Sequence, residues 1–158
     1  DGFADRFDEW WEQYQVRPLA AEVTVRNHSV GYAGTIDLVA EIGGKVCLID
    51  FKTKGTDRQG RIKMPDEKVA MQLVAGLKAE ESIVDHASGL WEPWPYGEAD
   101  MLMAVALGER EVLPLLISPE TWKENWFKFW ALRKLWEYDR ATSNHIRTLL
   151  PISPPPQR

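Results

Sequence analysis

Two acids and a lysine, Asp37, Asp50 and Lys52, lie on two strand-like runs that are joined by Gly43-Gly44. A two-residue Gly-Gly loop favours a tight hairpin with a primed turn. Such a hairpin places Asp37 directly opposite Asp50, where side chains are roughly 4.5–5.5 Å apart at Cβ and like charges repel. Two facing carboxylates therefore need a counterion. A divalent cation with oxygen ligands, with a lysine beside it, is the natural candidate.

A third acid is predicted on the same sheet face. If residues 27–30 close the preceding hairpin, Glu22 lies opposite Thr35 and one row from the aspartates. Carboxylates bind Mg²⁺ or Mn²⁺, and such a metal activates water and stabilises charge on a phosphorus centre. The alternative is a surface strand with ordinary charges. It is disfavoured because such charges do not select facing positions on apolar strands.

The strand that carries Asp50 and Lys52 has alternating faces, with Ile49 and Phe51 on the opposite side. The residues before Asp50 are apolar on both faces. This pattern predicts a central strand that delivers its polar groups at the edge of the sheet.

The rest of the chain predicts one domain over residues 1–150, followed by an extended Pro-rich tail over 151–158. The predicted elements, in chain order, are a helix (3–15), strands (19–26, 33–42, 45–53), a helix (65–80), an irregular insertion (82–97), strands (99–107, 112–117) and a helix (118–141) capped by Ser118. The expected fold class is α/β (α+β), with a central mixed sheet flanked by helices.

Bulk composition narrows the function classes. The net charge of −5 argues against a histone-like coating protein. Cys47 is the single cysteine, so one chain offers no disulfide framework, cysteine zinc site or iron–sulfur cluster. No apolar run approaches the roughly 18 residues of a membrane span, and we expect no membrane partner and a cytoplasmic protein.

A basic loop follows the second aspartate and offers a local site for nucleic acid. Glycines and Gln59 predict that this loop is flexible. Its cations are expected to contact DNA phosphates, and the alternative is a loop that is merely solvated. The candidate DNA-binding residues are Lys54, Arg58, Arg61 and Lys63.

Histidines and most tryptophans are interpreted as structural. His28 lies in a turn, and His86 and His145 have no carboxylate cluster near them in the sequence. A tryptophan stripe at every fourth residue favours core packing over base stacking, and its members are Trp122, Trp126 and Trp130. A second aromatic group lies in a Pro/Gly-rich loop, where stacking on unpaired bases and packing against a partner chain both stay open. Its members are Trp91, Trp94 and Tyr96.

The runs Gly34-Thr35-Ile36-Asp37 and Asp50-Phe51-Lys52-Thr53 resemble the PD-(D/E)XK nuclease superfamily, most closely its RecB-type branch of CRISPR-associated and phage exonucleases. A helical Gln-Leu motif of the family is matched by Gln72-Leu73. Glu22 matches the acid that precedes the Gly-x-x-Asp strand. The resemblance covers residues 19–80 and implies a restriction-endonuclease-like αβββαβ core.

This resemblance implies a metal-dependent DNA nuclease, with an exonuclease of recombination, repair or phage replication preferred over a structure-specific endonuclease. The implied ligands of Mg²⁺ or Mn²⁺ are Asp37, Asp50 and the backbone carbonyl of Phe51, with Glu22 completing or supporting the site. The expected partners are DNA with linear or single-stranded ends and, beyond DNA, a second copy, a helicase or a recombinase. The expected setting is a bacterial or phage-infected cell.

Two further roles follow from the same resemblance. Lys52 activates the attacking water or stabilises the transition state, and Gln72 orients Lys52 or a nearby phosphate. The chain departs from the family at Gly76, where a tyrosine is common. A histidine upstream of the first acid is common in the branch, and residues 1–21 contain none. A nuclease-like fold that only binds DNA or protein is the alternative from another class.

Overall fold

A computed structural model describes residues 1–83, 87–143 and 148–157. Its helices are α1 (Gly2–Gln13), α2 (Lys68–Leu77) and α3 (Trp122–Ser143), with a short 3₁₀ helix at Pro119–Thr121. Its strands are β1 (Arg17–Asn27), β2 (Tyr32–Ile42), β3 (Lys45–Thr53), β4 (Glu81–Ile83), β5 (Glu92–Pro93), β6 (Met101–Leu107) and β7 (Val112–Leu116). None of the helices in these ranges is long and apolar enough to cross a membrane.

The seven strands form one sheet in the order β5-β4-β1-β2-β3-β6-β7. The pair β3–β6 is parallel, and the other neighbouring pairs are antiparallel. A parallel neighbour requires a crossover, which α2 and the segments after it provide. The predicted class, a mixed central sheet flanked by helices, is confirmed.

Two hydrophobic clusters pack on opposite faces of this sheet. One cluster contains the apolar face of α2 and the first turns of α3, and Leu48 of β3 points into it. The other contains α1, and Cys47 and Ile49 of β3 point into it. The predicted alternation along β3 and its central position are therefore confirmed.

The hairpin between β2 and β3 has the predicted turn. Gly43 and Gly44 have φ values of 58° and 78°, and a primed two-residue turn requires positive values at both positions. The ladder runs from Ile42–Lys45 to Leu38–Ile49 in the predicted register.

The hairpin between β1 and β2 differs from its prediction. Its loop is residues 28–31 rather than 27–30, because Gly31 has a φ of 86° and donates its amide to the Asn27 carbonyl at 2.9 Å. Glu80 fixes the loop from outside by accepting the amides of His28 and Ser29. The resulting pairing is shifted by two residues from the expected one.

Several predicted boundaries are wrong for local reasons. The second helix begins at Lys68 rather than residue 65, because the Asp66 carboxylate accepts the backbone N–H of Lys68 and holds the preceding residues in a turn. It ends at Leu77, because the chain then joins the sheet. Ser118 makes no side-chain cap, and a 3₁₀ turn precedes α3. The predicted irregular insertion instead contributes β4 and β5, which extend one edge of the sheet.

Most of the remaining aromatic side chains pack in the core or against neighbouring side chains. Trp94 is buried and Tyr96 packs edge-on against it. Trp122 and Trp126 pack on the core, as the stripe predicts, but Trp130 is 43% exposed. The cation of Arg26 lies over Trp91.

Of the three histidines, the described residues include only His28, and they include residues 151–157 of the tail. His28 lies in a turn, as predicted, and pairs with Glu81 at 2.8 Å. His86 and His145 lie outside the described residues. Residues 148–157 form neither helix nor strand.

Cys47 gives a test of this architecture, because it is fully buried on the central strand. Burial raises the pKa of its thiol to about 12, so the thiol stays protonated at ordinary pH. We expect no reaction with a thiol reagent in the native protein and one equivalent of reaction in denaturant. Rapid labelling without denaturant would show that the sheet opens easily at β3.

Candidate active site

The alternation of strand β2 breaks at Asp37. Ile36 and Val39 both pack on the side of α2, although residues three apart in a regular strand point to opposite faces. The backbone ladder with β3 ends one row before Asp37, at Leu38–Ile49. In its place, the Asp37 Oδ2 atom accepts the backbone N–H of Phe51 at 2.8 Å. A carboxylate thus replaces a backbone carbonyl as the acceptor for β3.

Strand β1 has a matching irregularity at Glu22. This residue has a φ of 50°, which is rare for a residue with a side chain and marks local strain. The prediction that Glu22 lies opposite Thr35 is wrong, because Thr24 pairs with Thr35. The shifted register puts the exposed Glu22 at the level of Asp37.

Phe51 is held firmly from the other face of the sheet. Its ring makes edge-to-face contacts with Phe7 and Trp10, with centroids 5.3 Å and 5.4 Å away. Such aromatic pairs contribute about 0.5–1.5 kcal/mol beyond the burial of area. The backbone of Phe51, which donates to Asp37, therefore has little freedom to move.

Asp50 lies next to this hydrogen bond and is itself poorly solvated. Its side chain is 17% exposed, and its Oδ2 atom is shielded from solvent with no hydrogen bond of good geometry among the described residues. The Nζ atom of Lys52 is 3.3 Å from that oxygen. Burial, and then repulsion from Asp37, raise the pKa of Asp50, and the charge of Lys52 offsets this only in part.

These residues fit a hard divalent cation. Magnesium commonly binds one or two carboxylates and completes its shell with water and substrate phosphates. Asp37 and Asp50 supply two carboxylates, and the shielded oxygen of Asp50 has no hydrogen bond of good geometry to the described residues, with Lys52 3.3 Å away. No group of three or more His, Cys, Asp or Glu side chains that could hold a metal occurs in the described ranges. The role of Glu22 as a third ligand stays a prediction.

A cleft of about 380 Å³ adjoins Asp50 on the α2 side of the sheet. Asp50 lines it from β3, and Gln72 lines it from α2. The structure thus brings Gln72, predicted from its Gln-Leu motif alone, to the same cleft as Asp50. Gln72 is exposed, so its amide is accessible from the cleft.

Gly76, where the nuclease pattern often has a tyrosine, packs against β2. A β-carbon built on Gly76 would lie 3.0 Å from the Cδ1 atom of Ile36. A side chain at this position would require the Ile36 side chain to give way by a few tenths of an ångström.

The basic loop is closed rather than open. Thr56 and Ile62 form an isolated bridge, and the Asp57 carboxylate accepts two amides within the turn. Ile62 is buried and anchors the loop to the domain. The predicted DNA-binding cations emerge from this turn, with Lys54 half-buried and the others exposed, namely Arg58, Arg61 and Lys63.

The outer wall of the cleft is formed by residues that the sequence did not predict for the site. Tyr32 and Phe129 line it, and their rings meet edge-on with centroids 4.7 Å apart. These residues come from β2 and α3, and no sequence pattern places the two elements side by side.

No family model matches the chain, and no curated protein matches it. Among solved structures, one match is titled "Crystal structure of SSO0001", with 15% identity and a TM-score of 0.39. The alignment covers 87% of this chain and 62% of that chain, so this chain spans less than two thirds of its length.

The raised pKa of Asp50 leads to a prediction about stability. A carboxyl group whose pKa is higher in the folded state than in the unfolded state, near 3.9, destabilises the fold once it ionises. Asp50→Asn should therefore raise the melting temperature in EDTA near neutral pH. A gain of about 1 kcal/mol corresponds to about 2–4 °C for a domain of this size. The difference should shrink as pH falls, because Asp50 then becomes protonated in both states.

Added metal should reverse this order. Millimolar Mn²⁺ should raise the melting temperature of the parent by mass action and leave Asp50→Asn nearly unchanged. Asp8→Asn is the matched control, because it removes the same charge from an exposed position on α1. If the melting temperatures of Asp50→Asn and Asp8→Asn respond equally in both conditions, Asp37 and Asp50 do not form a metal-binding pair of carboxylates.

Proposed function

We propose that this protein is a metal-dependent DNA nuclease of the PD-(D/E)XK type, close to the RecB-type branch, and that it hydrolyses phosphodiester bonds. One observation carries the proposal. The carboxylate of Asp37 is held on the Phe51 amide beside the shielded carboxylate of Asp50, and the Lys52 ammonium lies 3.3 Å from Asp50. The cytoplasm, where such an enzyme would meet DNA, is the proposed setting.

The metal ligands in this proposal are Asp37, Asp50 and the backbone carbonyl of Phe51, with Glu22 in support. When bound there, Mg²⁺ or Mn²⁺ supplies Lewis-acid stabilisation of charge on the phosphate and lowers the pKa of a water molecule. Two carboxylates that repel each other favour such a cation, since its charge compensates both.

The side chains of the protein have separate tasks around this centre. The Phe51 amide fixes one oxygen of Asp37, so the direction of that carboxylate is set before substrate arrives. Lys52, 40% exposed, can hydrogen-bond the attacking water or a non-bridging phosphate oxygen while Asp50 holds its position. Gln72 can donate its amide to a phosphate that enters the cleft.

Hydrolysis here needs no covalent intermediate with the protein. Water adds to phosphorus, one P–O bond breaks, and the departing oxygen gains a proton. An exonuclease is preferred by resemblance, and a structure-specific endonuclease is the alternative. A fold that only binds DNA or protein is disfavoured, because it gains nothing from two repelling acids in a shielded place.

Cleavage of matched DNA substrates tests the proposal. End-labelled linear DNA and closed circular DNA are incubated with Mg²⁺, with Mn²⁺ or with EDTA. Metal-dependent loss of linear DNA alone indicates an exonuclease, and cutting of circles indicates an endonuclease. Binding without cleavage under every metal condition would contradict the proposed activity.

Removal of the lysine should separate catalysis from metal binding. Lys52→Ala is expected to reduce cleavage by about 100-fold or more, because it removes the group that assists proton transfer. The Mn²⁺-induced rise in melting temperature should remain, since Lys52 is not a ligand. Lys52→Arg should rescue poorly, because guanidinium hardly deprotonates and has a different shape.

The control is Lys45→Ala, an exposed lysine at the other end of the same strand. Its cleavage rate should match the parent. Full activity of Lys52→Ala would place the catalytic role on another residue.

The basic loop should supply part of the affinity for phosphates. Neutralising its four cations should weaken DNA binding about equally for all sequences and flatten the salt dependence by about one unit of slope per lost contact. The control neutralises four exposed cations on other elements, namely Arg17, Lys45, Lys78 and Arg110. An unchanged salt slope in the loop variant would show that the loop is only a solvated surface.

A further inference from the structure

A second groove lies between α2 and α3 and opens beside the cleft of Asp50. Its volume is about 470 Å³. Its main lining residues are Tyr32, Met71, Gln72, Phe129, Leu132 and Trp136. Three of these, Tyr32, Gln72 and Phe129, also line the cleft that contains Asp50. The groove and the cleft are therefore neighbours with a common wall.

Trp136 presents the largest aromatic surface in the groove. It is 50% exposed, although it lies on a helix whose inner face packs on the core. The guanidinium carbons of Arg133 and Arg140 are 4.5 Å and 4.8 Å from its ring centroid. Both guanidinium groups suit phosphates, and a base that stacks on the indole takes the place of one of them on the ring.

Arg133 is held in place by the hairpin that precedes β2. Its Nε atom donates to the Gly31 carbonyl at 2.6 Å, and Glu137 is 3.7 Å from its Nη1 atom. The orientation of this guanidinium beside Trp136 is therefore fixed by contacts on two elements. Because Gly31 directly precedes Tyr32, the same turn positions the shared wall of the groove and cleft.

The charge of α3 is opposite in sign to that of the whole protein. The helix contains five cations and three acids, a net charge of +2, in a chain of net charge −5. Lys68 of α2 adds a cation from the facing side of the groove. A ligand that combines negative charge with flat apolar surface complements this groove.

An unpaired nucleic acid strand has both properties. Its phosphates are negative, and its base faces are free to stack, whereas a duplex hides those faces in its own stack. Trp136 is seven residues beyond Phe129 on α3, which is roughly 10 Å along the helix axis. A strand that lies in the groove can thus reach the cleft of Asp50 within a few nucleotides.

We propose that this groove binds single-stranded DNA and leads it to Asp50, with a base stacked on Trp136 in place of the Arg140 guanidinium, and with phosphates held by Arg133 and the displaced Arg140. The inference rests on the proposed nuclease function and names the form of its substrate. Its direct test is a binding measurement, which requires neither metal nor cleavage.

The probe is a dye-labelled oligothymidine of about twelve nucleotides, a length within the usual site size of single-strand binders. Fluorescence anisotropy in EDTA measures its dissociation constant. Trp136→Ala should weaken binding by about ten-fold or more, the usual effect of losing a stacked base. Trp136→Tyr should stay within about three-fold of the parent, because it keeps an aromatic face.

Trp130→Ala is the matched control, because Trp130 lies on the same helix, is 43% exposed and does not line the groove. It also has a cation, Lys134, 5.8 Å from its ring centroid. Binding by this control should be unchanged. Equal losses in Trp130→Ala and Trp136→Ala would overturn the proposal, as would an unchanged affinity in Trp136→Ala.

Two further readouts separate this groove from other binding surfaces. Arg140→Gln should flatten the salt dependence of single-strand binding by about one unit, as expected for one phosphate contact. A duplex of the same length should bind less tightly and should not respond to Trp136→Ala. Equal response of the duplex would overturn the proposal. A change of oligomeric state in Trp136→Ala with unchanged DNA affinity would overturn it in favour of a protein interface.

The two proposals can fail separately. Single-strand binding that depends on Trp136, without cleavage under any metal condition, would support the groove and contradict the nuclease. Cleavage that depends on Asp50 and Lys52, with binding indifferent to Trp136, would support the nuclease and contradict the groove.

Discussion

The hydrogen bond from the Phe51 amide to the Asp37 carboxylate is the interaction on which the candidate site depends. At this row a side chain takes the acceptor role that a backbone carbonyl has elsewhere in the ladder. The amide remains satisfied, as a partly buried backbone donor must be. At the same time, a negative charge is fixed at the edge of the apolar sheet, beside Asp50. The departure of β2 from regular pairing and the formation of the acidic pair are thus one structural event.

The surrounding fold makes this arrangement tolerable. Phe51 is anchored through its ring by Phe7 and Trp10, and β3 is paired with β6 as well as β2. The stable packing on the α1 face thereby supports an unfavourable charge arrangement on the α2 face. Shielding of Asp50 raises its pKa, which weakens the metal-free fold and favours any cation that compensates the charge. Helix α1 is distant in sequence from the site, but its aromatic packing bears directly on the site geometry.

The parts of the site that the sequence predicts are those specified by local residues. Gly43-Gly44 determines the turn between β2 and β3, and the register of that hairpin follows from it. The register of β1 depends on Gly31 and on Glu80, which closes the turn from outside the hairpin. A contact between residues about fifty positions apart leaves no local pattern. The positive φ of Glu22 likewise depends on tertiary structure. The position of Glu22 in the same row as Asp37 could therefore not be predicted.

Helix α3 shows how a correct pattern can lead to an incomplete conclusion. Tryptophans at every fourth residue indicate a common face, but an α-helix has 3.6 residues per turn, so each step rotates by about 40°. Trp122 and Trp126 still face the core, whereas Trp130, two steps from Trp122, has rotated toward solvent. The same rotation brings Phe129 and Arg133 onto the inner face, and Trp136 reaches the rim of the groove beside α2. The aromatic stripe therefore serves the core at the beginning of the helix. Farther along, the groove is lined by residues that the four-residue repeat does not contain.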